Sequence, residues 1–393
     1  MSDSDVVIVD AVRSPLGRRK GGLSGAHSLD LLGQVQKALI DRAGIDPKEV
    51  GQVIGGCVGQ VGMQTMNVAR GAWLAAGLPL ETPASTVDAQ CGSSQQATNL
   101  AYGLVKSGVV DSAIGCGVEV MSRVPMGATI PREPDVGKPV TKAYWDHYEW
   151  TSQFQGADRI AEQWGISRQD TDAFGAQSQA RAAEAWADDR FGSQITPIEA
   201  PELDEDRNPL ESMTTITKDE GLRETDVETL AGLRTNLPDG VHTAGTSSQI
   251  SDGAGAVLLM TRAKAKALGV TPKATVVDTC LTGSDPVLML TGPIGATQRL
   301  LERNNMSMGD IDLVEINEAF ASVVLAWEKE LKADMATVNP NGGAIALGHP
   351  LGGTGAVLLT KAVHELVRAD KEHAIVTMCC GGGLGTGTLL RRE

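Results

Sequence analysis

Ile40-Asp41-Arg42-Ala43-Gly44-Ile45, running on to Glu49-Val50-Gly51-Gln52-Val53, has a near copy in Leu301-Glu302-Arg303-Asn304-Asn305-Met306, running on to Asp310-Ile311-Asp312-Leu313-Val314. The stretches lie 261 residues apart (42 to 303), and the spacing returns where Asp111-Ser112-Ala113-Ile114 meets Glu372-His373-Ala374-Ile375 (113 to 374). An opening apolar run, Val6-Val7-Ile8-Val9-Asp10-Ala11, likewise has a counterpart in Ala274-Thr275-Val276-Val277-Asp278-Thr279. Such self-similarity reads as a duplicated α/β unit. Apolar runs alternate with helical patterns in each half, which predicts mostly parallel sheets covered on both faces. Two related halves invite a site at their junction.

Between the halves, residues 123–250 differ in composition. Twelve Lys/Arg stand there against twenty-three Asp/Glu, so the segment carries −11 of the chain's −15. Its one clear helix starts at Ser167-Arg168-Gln169-Asp170, a capping-box pattern, and continues with alanines three and four apart. The division is therefore a first half (1–122 with 251–270), an inserted, solvent-rich domain (123–250) and a second half (271–393). Tyr144, Trp145, Tyr148, Trp150 and Phe154 are five of the thirteen aromatics. They either anchor the insertion or wall a substrate pocket.

Cys91 is the candidate nucleophile. Ala84-Ser85-Thr86-Val87-Asp88-Ala89 reads as a short buried strand and Gly92-Ser93-Ser94-Gln95 opens a helix running to about Lys106, so the thiol sits at a strand-to-helix turn. Free N–H groups and the positive end of the helix dipole there favour the thiolate. Cys57, Cys116 and Cys280 read as core thiols in strands. Of six histidines, His349 alone lies in glycine-rich backbone, Gly342-Gly343-Ala344-Ile345-Ala346-Leu347-Gly348-His349-Pro350; His242 is a weaker candidate. Met378-Cys379-Cys380-Gly381-Gly382-Gly383 adds a second thiol in backbone whose N–H groups are open to an oxyanion.

Composition bounds the function. With 34 Lys+Arg against 49 Asp+Glu, a nucleic-acid or anionic-membrane partner is disfavoured, and an anionic ligand must be held by local cations. No apolar run spans a bilayer. Six cysteines without a Cys-x-x-Cys zinc pattern or an N-terminal signal stretch predict a cytoplasmic, reducing setting with neither disulfides nor a structural metal.

Four blocks, taken in order, resemble the thiolase family across essentially the whole chain: Cys91 in Val-Asp-x-x-Cys-Gly-Ser, Asn317-Glu318-Ala319-Phe320-Ala321, Gly343-Ala344-Ile345-Ala346-Leu347-Gly348-His349-Pro350, and Cys379-x-Gly-Gly-Gly. The resemblance implies a five-layered αβαβα fold, an inserted loop domain covering coenzyme A, and a homodimer or homotetramer built as a dimer of dimers. It implies CoA as a substrate with no prosthetic group, and thiolysis of a 3-ketoacyl-CoA to acetyl-CoA and a shortened acyl-CoA, or the reverse Claisen condensation. Cys91 would attack after giving its proton to His349, and Cys379 would serve as acid and base. His349 with an Asn317-held water, and the N–H groups of Cys91 and Gly381, would form two oxyanion sites. Arg223 would meet the CoA nucleotide, and Ser248 and Phe320 the pantetheine arm. Asn317 also reads as a helix N-cap.

Three departures from the family bear on substrate size and on the base. Ser94 replaces a usual glycine; Phe154-Gln155-Gly156-Ala157-Asp158-Arg159 replaces a His-Met-Gly or Met-Gly segment over the acyl site; and Cys380, where a branched apolar residue is usual, is a rival to Cys379. Together with Thr246-Ser247-Ser248-Gln249-Ile250-Ser251-Asp252, the second resembles actinobacterial degradative thiolases that shorten steroid side chains. A β-ketoacyl synthase-like condensing enzyme, a non-catalytic lipid- or CoA-binding relative and a thiol redox protein are the competing readings. The first lacks a reason for Asn317-Glu318-Ala319-Phe320, the second for keeping four polar groups, and the third has no Cys-x-x-Cys.

Overall fold

The computed structural model describes residues 2–130 and 136–393. Its strands are β1 (Val6–Arg13), β2 (Gly17–Arg18), β3 (Gln52–Gly56), β4 (Ala84–Val87), β5 (Ser112–Val120), β6 (Ile198–Leu203), β7 (Pro209–Ile216), β8 (Ser251–Thr261), β9 (Ala274–Gly283), β10 (Leu313–Ile316), β11 (His373–Cys380) and β12 (Leu384–Arg392). All but the β6–β7 ribbon form one sheet in the order β10-β11-β12-β9-β1-β8-β5-β3-β4, with β2 on the end of β8.

The duplication is visible strand by strand. β3 and β10, and β5 and β11, stand in equivalent places 261 residues apart, as do the helices Ser93–Lys106 and Thr354–Arg368. The halves meet where β1 pairs with β9 through Val7↔Thr275 and Ile8↔Ala274. Even the repeated loop is kept: helix Ser28–Ala43 ends at Gly44 (φ +66°), and helix Gly292–Arg303 is followed by Asn305 (φ +52°), the two residue types that best tolerate this left-handed turn.

The expectation of mostly parallel sheets is corrected. β3–β4, β3–β5 and β10–β11 are parallel, whereas β1–β8, β5–β8, β11–β12, β9–β12 and β1–β9 are antiparallel. β12 follows β11 through Gly381-Gly382-Gly383, and Gly382 and Gly383 at φ +79° and +78° close a tight turn that leaves no length for a crossover helix. Strand β8 enters from the insertion and fills the slot between β1 and β5 in the opposite direction. The strand expected to be buried, β4, is instead a half-exposed edge.

Five layers result. Val35, Leu39 and Trp73 from helices Ser28–Ala43 and Val68–Ala75 pack on one face of the first half-sheet. Ala97, Ala101, Leu358 and Leu359 from Ser93–Lys106 and Thr354–Arg368 fill the space between the half-sheets. Leu300, Val324 and Trp327 from Gly292–Arg303 and Ala321–Leu331 cover the outer face of the second. The fold is therefore the αβαβα arrangement.

Residues 123–250 hold more regular structure than the sequence shows. Ser167 caps helix Arg168–Ala187 through the expected box with Asp170, and Ser152 with Gln155 forms a second capping box opening Gln153–Gln163. The aromatics divide. Tyr144, Trp145, Tyr148 and Trp150 lean on one another, with Trp145, Tyr148 and Trp150 about half exposed, while Phe154 packs edge-on against Phe320 at 5.5 Å. No helix among the described residues is long and apolar enough to cross a membrane.

Candidate active site

The two central helices run side by side, and the chemistry gathers around their N-terminal ends. Cys91 lies just after β4, on a turn whose preceding residue Gln90 takes φ +52°. That turn is held by Ala89 N–H donating to Ser93 Oγ (3.0 Å) and Gln90 N–H donating to Asp88 Oδ1 (2.6 Å). Gly92 cannot carry a side chain: a Cβ there would lie 2.5 Å from Cys380 Sγ. Ser94 does not face the substrate space. It is buried, and its Oγ accepts from Ala356 N–H at 2.9 Å, tying the two central helices together.

The expected thiolate at Cys91 is corrected. Although part of the residue faces a cavity, the protein around it strips solvent from the sulfur and raises its pKa to about 11. The N–H groups of Gly381 and of Cys91 itself pull the other way without overcoming burial. The resting group is a thiol, and attack requires a base.

His349 is the candidate for that base. It is buried, and loss of solvent lowers its pKa to about 4, so the imidazole is neutral at physiological pH. Thr354 Oγ1 donates to Pro350 O (2.9 Å) and so accepts from the ring at Nδ1, 2.6 Å away. We assign the proton to Nδ1 on this ground, which leaves the lone pair on Nε2. Asn317 Nδ2 approaches Nε2 at 3.4 Å, and Asn317 Oδ1 is buried with no hydrogen-bond partner among the described residues. Main-chain anchoring is equally tight: His349 N–H donates to Ser251 Oγ at 3.1 Å, and a Cβ on Gly348 (φ +121°) would collide with that hydroxyl.

Asn317 follows β10 and is not a helix N-cap; the helix starts at Ala321 with Phe320 in that place. Its neighbour Glu318, unassigned from sequence, is fully enclosed and accepts from Ser178 Oγ (2.6 Å), Asn339 Nδ2 (2.9 Å) and Ile345 N–H (3.1 Å), fastening the insertion to the glycine-rich loop before His349. Glu119 is a second enclosed carboxylate. It accepts from Val58, Gly59 and Gly352 N–H at 2.9–3.0 Å and from Gln64 Nε2 at 2.6 Å, pinning the loop after His349. Nothing local marks either residue, because their partners are distant in sequence.

Cys379 and Cys380 end β11 and point to opposite faces. Cys379 joins Leu290, Ala319 and Phe320, while Cys380 faces the central layer beneath Gly92. Burial first, then the nearby Cys91 sulfur, pushes the Cys379 pKa well up, so it holds its proton until a strong base appears.

Two cavities converge on Cys91 and Gly381. One, about 420 Å³, also carries His349, Arg223, Ser248 and Phe320, so all three residues expected to meet CoA share its wall, together with Arg18 and Arg19, which the reading of motifs passed over. The other, about 480 Å³, is largely apolar, with Met121, Val124, Ile130, Trp150 and Met289 in its wall. His242 is buried outside both, its Nε2 2.8 Å from Ser322 Oγ. Among the described residues no group of three or more His, Cys, Asp or Glu is placed to hold a metal.

Comparison with known proteins covers nearly the whole chain. The family model "Thiolase, N-terminal domain" matches residues 6–263 and "Thiolase, C-terminal domain" residues 270–392. The chain is 43% identical to the steroid 3-ketoacyl-CoA thiolase FadA6 of Mycobacterium tuberculosis, covering 99% of this chain and 94% of that protein. It is 39% identical to a 3-ketoacyl-CoA thiolase of Bacillus subtilis, covering 97% of each. The crystal structure of the Bacillus anthracis acetyl-CoA acetyltransferase superposes with a TM-score of 0.91 at 35% identity over 99% of both chains. Matched in both domains and along nearly its whole length, with the four blocks brought to one place, the chain belongs to the thiolase family.

Proposed function

We propose that the protein is a CoA-dependent acyltransferase that cleaves a 3-ketoacyl-CoA with CoA, through an acyl group carried on Cys91. The observation that carries this is the convergence of two cavities on Cys91, with a neutral His349 in one of them and Cys379 enclosed behind. His349 Nε2 takes the Cys91 proton, and the thiolate attacks the 3-keto carbon. The resulting oxyanion is received by the N–H groups of Cys91 and Gly381. The C2–C3 bond then breaks, its electron pair going to C2. The enolate oxygen is met by Nε2–H of His349 and a water on Asn317, and Cys379 gives C2 its proton, releasing acetyl-CoA. The Cys379 thiolate takes the proton of incoming CoA, whose sulfur displaces the Cys91 thiolate from the acyl group, and His349 returns its proton to Cys91. Run backwards, the same steps make a Claisen condensation.

Arg223, Ser248 and Phe320 are proposed to hold CoA along the 420 Å³ cavity, and residues 123–250 to act as the cover, since Phe154, Asn236, Ala244 and Ser247 from that segment share the wall. The 480 Å³ apolar cavity accepts a bulky acyl group, in keeping with the steroid substrate named for the mycobacterial relative. A homodimer or dimer of dimers is proposed on the half-exposed edge strand β4 with Met66 and Leu80 exposed nearby, and a cytoplasmic setting on the six free thiols.

Mass spectrometry after trapping with a 3-ketoacyl-CoA is expected to find the acyl group on the Cys91 peptide. Cys379→Ala should still acylate from a simple acyl-CoA yet fail at carbon–carbon cleavage. CoA-dependent turnover at the wild-type level in Cys91→Ala would overturn the mechanism. Efficient cleavage of acetoacetyl-CoA with a sterol-derived 3-ketoacyl-CoA left untouched would overturn the bulky-substrate reading.

A further inference from the structure

The wall of the 420 Å³ cavity runs against the charge of the whole molecule. In a chain of net −15 it presents three guanidinium groups, Arg18, Arg19 and Arg223, and no carboxylate. Some half-buried arginines are neutralised locally, Arg159 on Glu149 and Arg392 on Asp370, each at 2.8 Å. Glu220, the acid beside Arg18, is engaged by main chain: it accepts from Gly22 N–H at 2.9 Å and from Arg18 N–H at 3.2 Å. The backbone under the pair is fixed, because Gly17 and Arg18 are in register with Asp252 and Ser251 of β8, and Ser251 is the residue that anchors His349. Arg18 also borders an adjoining polar cavity of mixed charge, with Lys20 and Arg207 facing Glu202 and Glu220.

We infer that Arg18 and Arg19 form an anion-binding site for the thioester substrate, taking a phosphate or carboxylate group in addition to whatever Arg223 holds. Guanidinium forks suit both oxyanions by paired N–H donation. Two parts of a substrate offer that chemistry: the phosphates of CoA lying along this cavity, and a carboxylate at the far end of an acyl group that enters it rather than the 480 Å³ apolar cavity. The inference rests on the thiolysis reading for its ligand but not for its test, which reads binding rather than turnover.

Calorimetric titration in a Cys91→Ala background, where no acyl transfer consumes the ligand, separates the sources. Arg18→Gln, Arg19→Gln and the double variant are compared with their parent for CoA, pantetheine, and hexanoyl and adipoyl thioesters of each. About tenfold weaker binding of CoA with pantetheine unaffected assigns the pair to phosphate. About tenfold weaker binding of the adipoyl but not the hexanoyl pantetheine thioester assigns it to an acyl carboxylate. All ligands bound within twofold of the parent overturns the site, whereas a parent that binds no CoA thioester overturns the thiolysis reading as well. Circular dichroism of each variant shows whether the fold is intact, which the exposure of both side chains leads us to expect.

Discussion

Thr354 shows how much at the residue scale depends on one hydroxyl. Its bonds to Pro350 O and to His349 Nδ1 keep the reactive lone pair of the imidazole on Nε2. Thr354→Val preserves shape and removes that bond, so kcat is expected to fall roughly 10–100-fold, in the range seen when a partner orienting a histidine is lost. Thr354→Ser keeps the hydroxyl and should stay within a few-fold of wild type. Steady-state kinetics from pH 5 to 9 check this; an unchanged kcat and pH profile in the valine variant would remove Thr354 from the mechanism. With the His349 pKa near 4, the wild-type profile should show no imidazole titration between pH 5.5 and 7.5. Cys91, His349 and Cys379 stand out in the sequence as candidates because each sits in a short motif. The role of Thr354 does not, since five residues of separation say nothing about which ring nitrogen it meets. The protonation of Cys91 was misread for a related reason: a helix N-terminus is visible in sequence, whereas desolvation by distant residues is not.

At the scale of elements, the site depends on how closely the two central helices approach. Gly355, at the start of Thr354–Arg368, has no room for a methyl group: its Cβ would collide with Gln95 N and lie 2.6 Å from Gln95 Cβ. Gln95 in turn donates to Val376 O (2.8 Å) and Thr388 Oγ1 (2.9 Å), locking the first half's helix onto the second half's sheet. Gly355→Ala is expected to cost roughly 1–3 kcal/mol by overpacking and to reduce activity, because the helices carrying the Cys91 turn and the His349 loop move apart. Gly103→Ala, in the interior of Ser93–Lys106 with open space around it, should instead stabilise by about 0.5–1 kcal/mol. Denaturant melts of the two variants should move in opposite directions; equal shifts would contradict the packing described. With their bounds in hand, these helices fall 261 residues apart, in line with the repeat seen in the sequence. Strand direction escaped it, because β8 and β12 are set by where the chain re-enters the sheet rather than by their own composition.

For the molecule as a whole, His364 is a joint among three parts. It lies on the second half's central helix, with Nε2 2.9 Å from Ala11 O of β1 and Nδ1 2.9 Å from Ser193 Oγ of the insertion. Burial, with help from Lys273 and Arg42 and against the pull of Asp10, lowers its pKa to about 4 from an ordinary 6.5. Above pH 6.5 the ring is neutral folded or unfolded and contributes no pH dependence. Between 6.5 and 4 the unfolded chain binds the extra proton, so stability falls as pH falls. Other buried groups act in the opposite sense, Asp252 among them with its pKa raised to about 6, so the clean measurement is a difference. Relative to His364→Gln, wild type is expected to lose on the order of 2 kcal/mol between pH 7 and 4.5. A stability difference between the two proteins that stays constant with pH would show that the ring is not held neutral.

By itself the sequence determined that two related α/β halves flank an acidic insertion, and it singled out two thiols, an imidazole and an amide as the candidates for the chemistry, because repeats and short motifs are local properties of the chain. Only the tertiary structure decided that Cys91 rests as a thiol, that His349 presents Nε2, that Cys379 rather than Cys380 faces the residues around Phe320, and that Arg18 and Arg19 reach the cavity wall. Solvent exclusion, side-chain direction on a strand and the meeting of residues from both halves arise from packing across the fold, and no local stretch of sequence contains them.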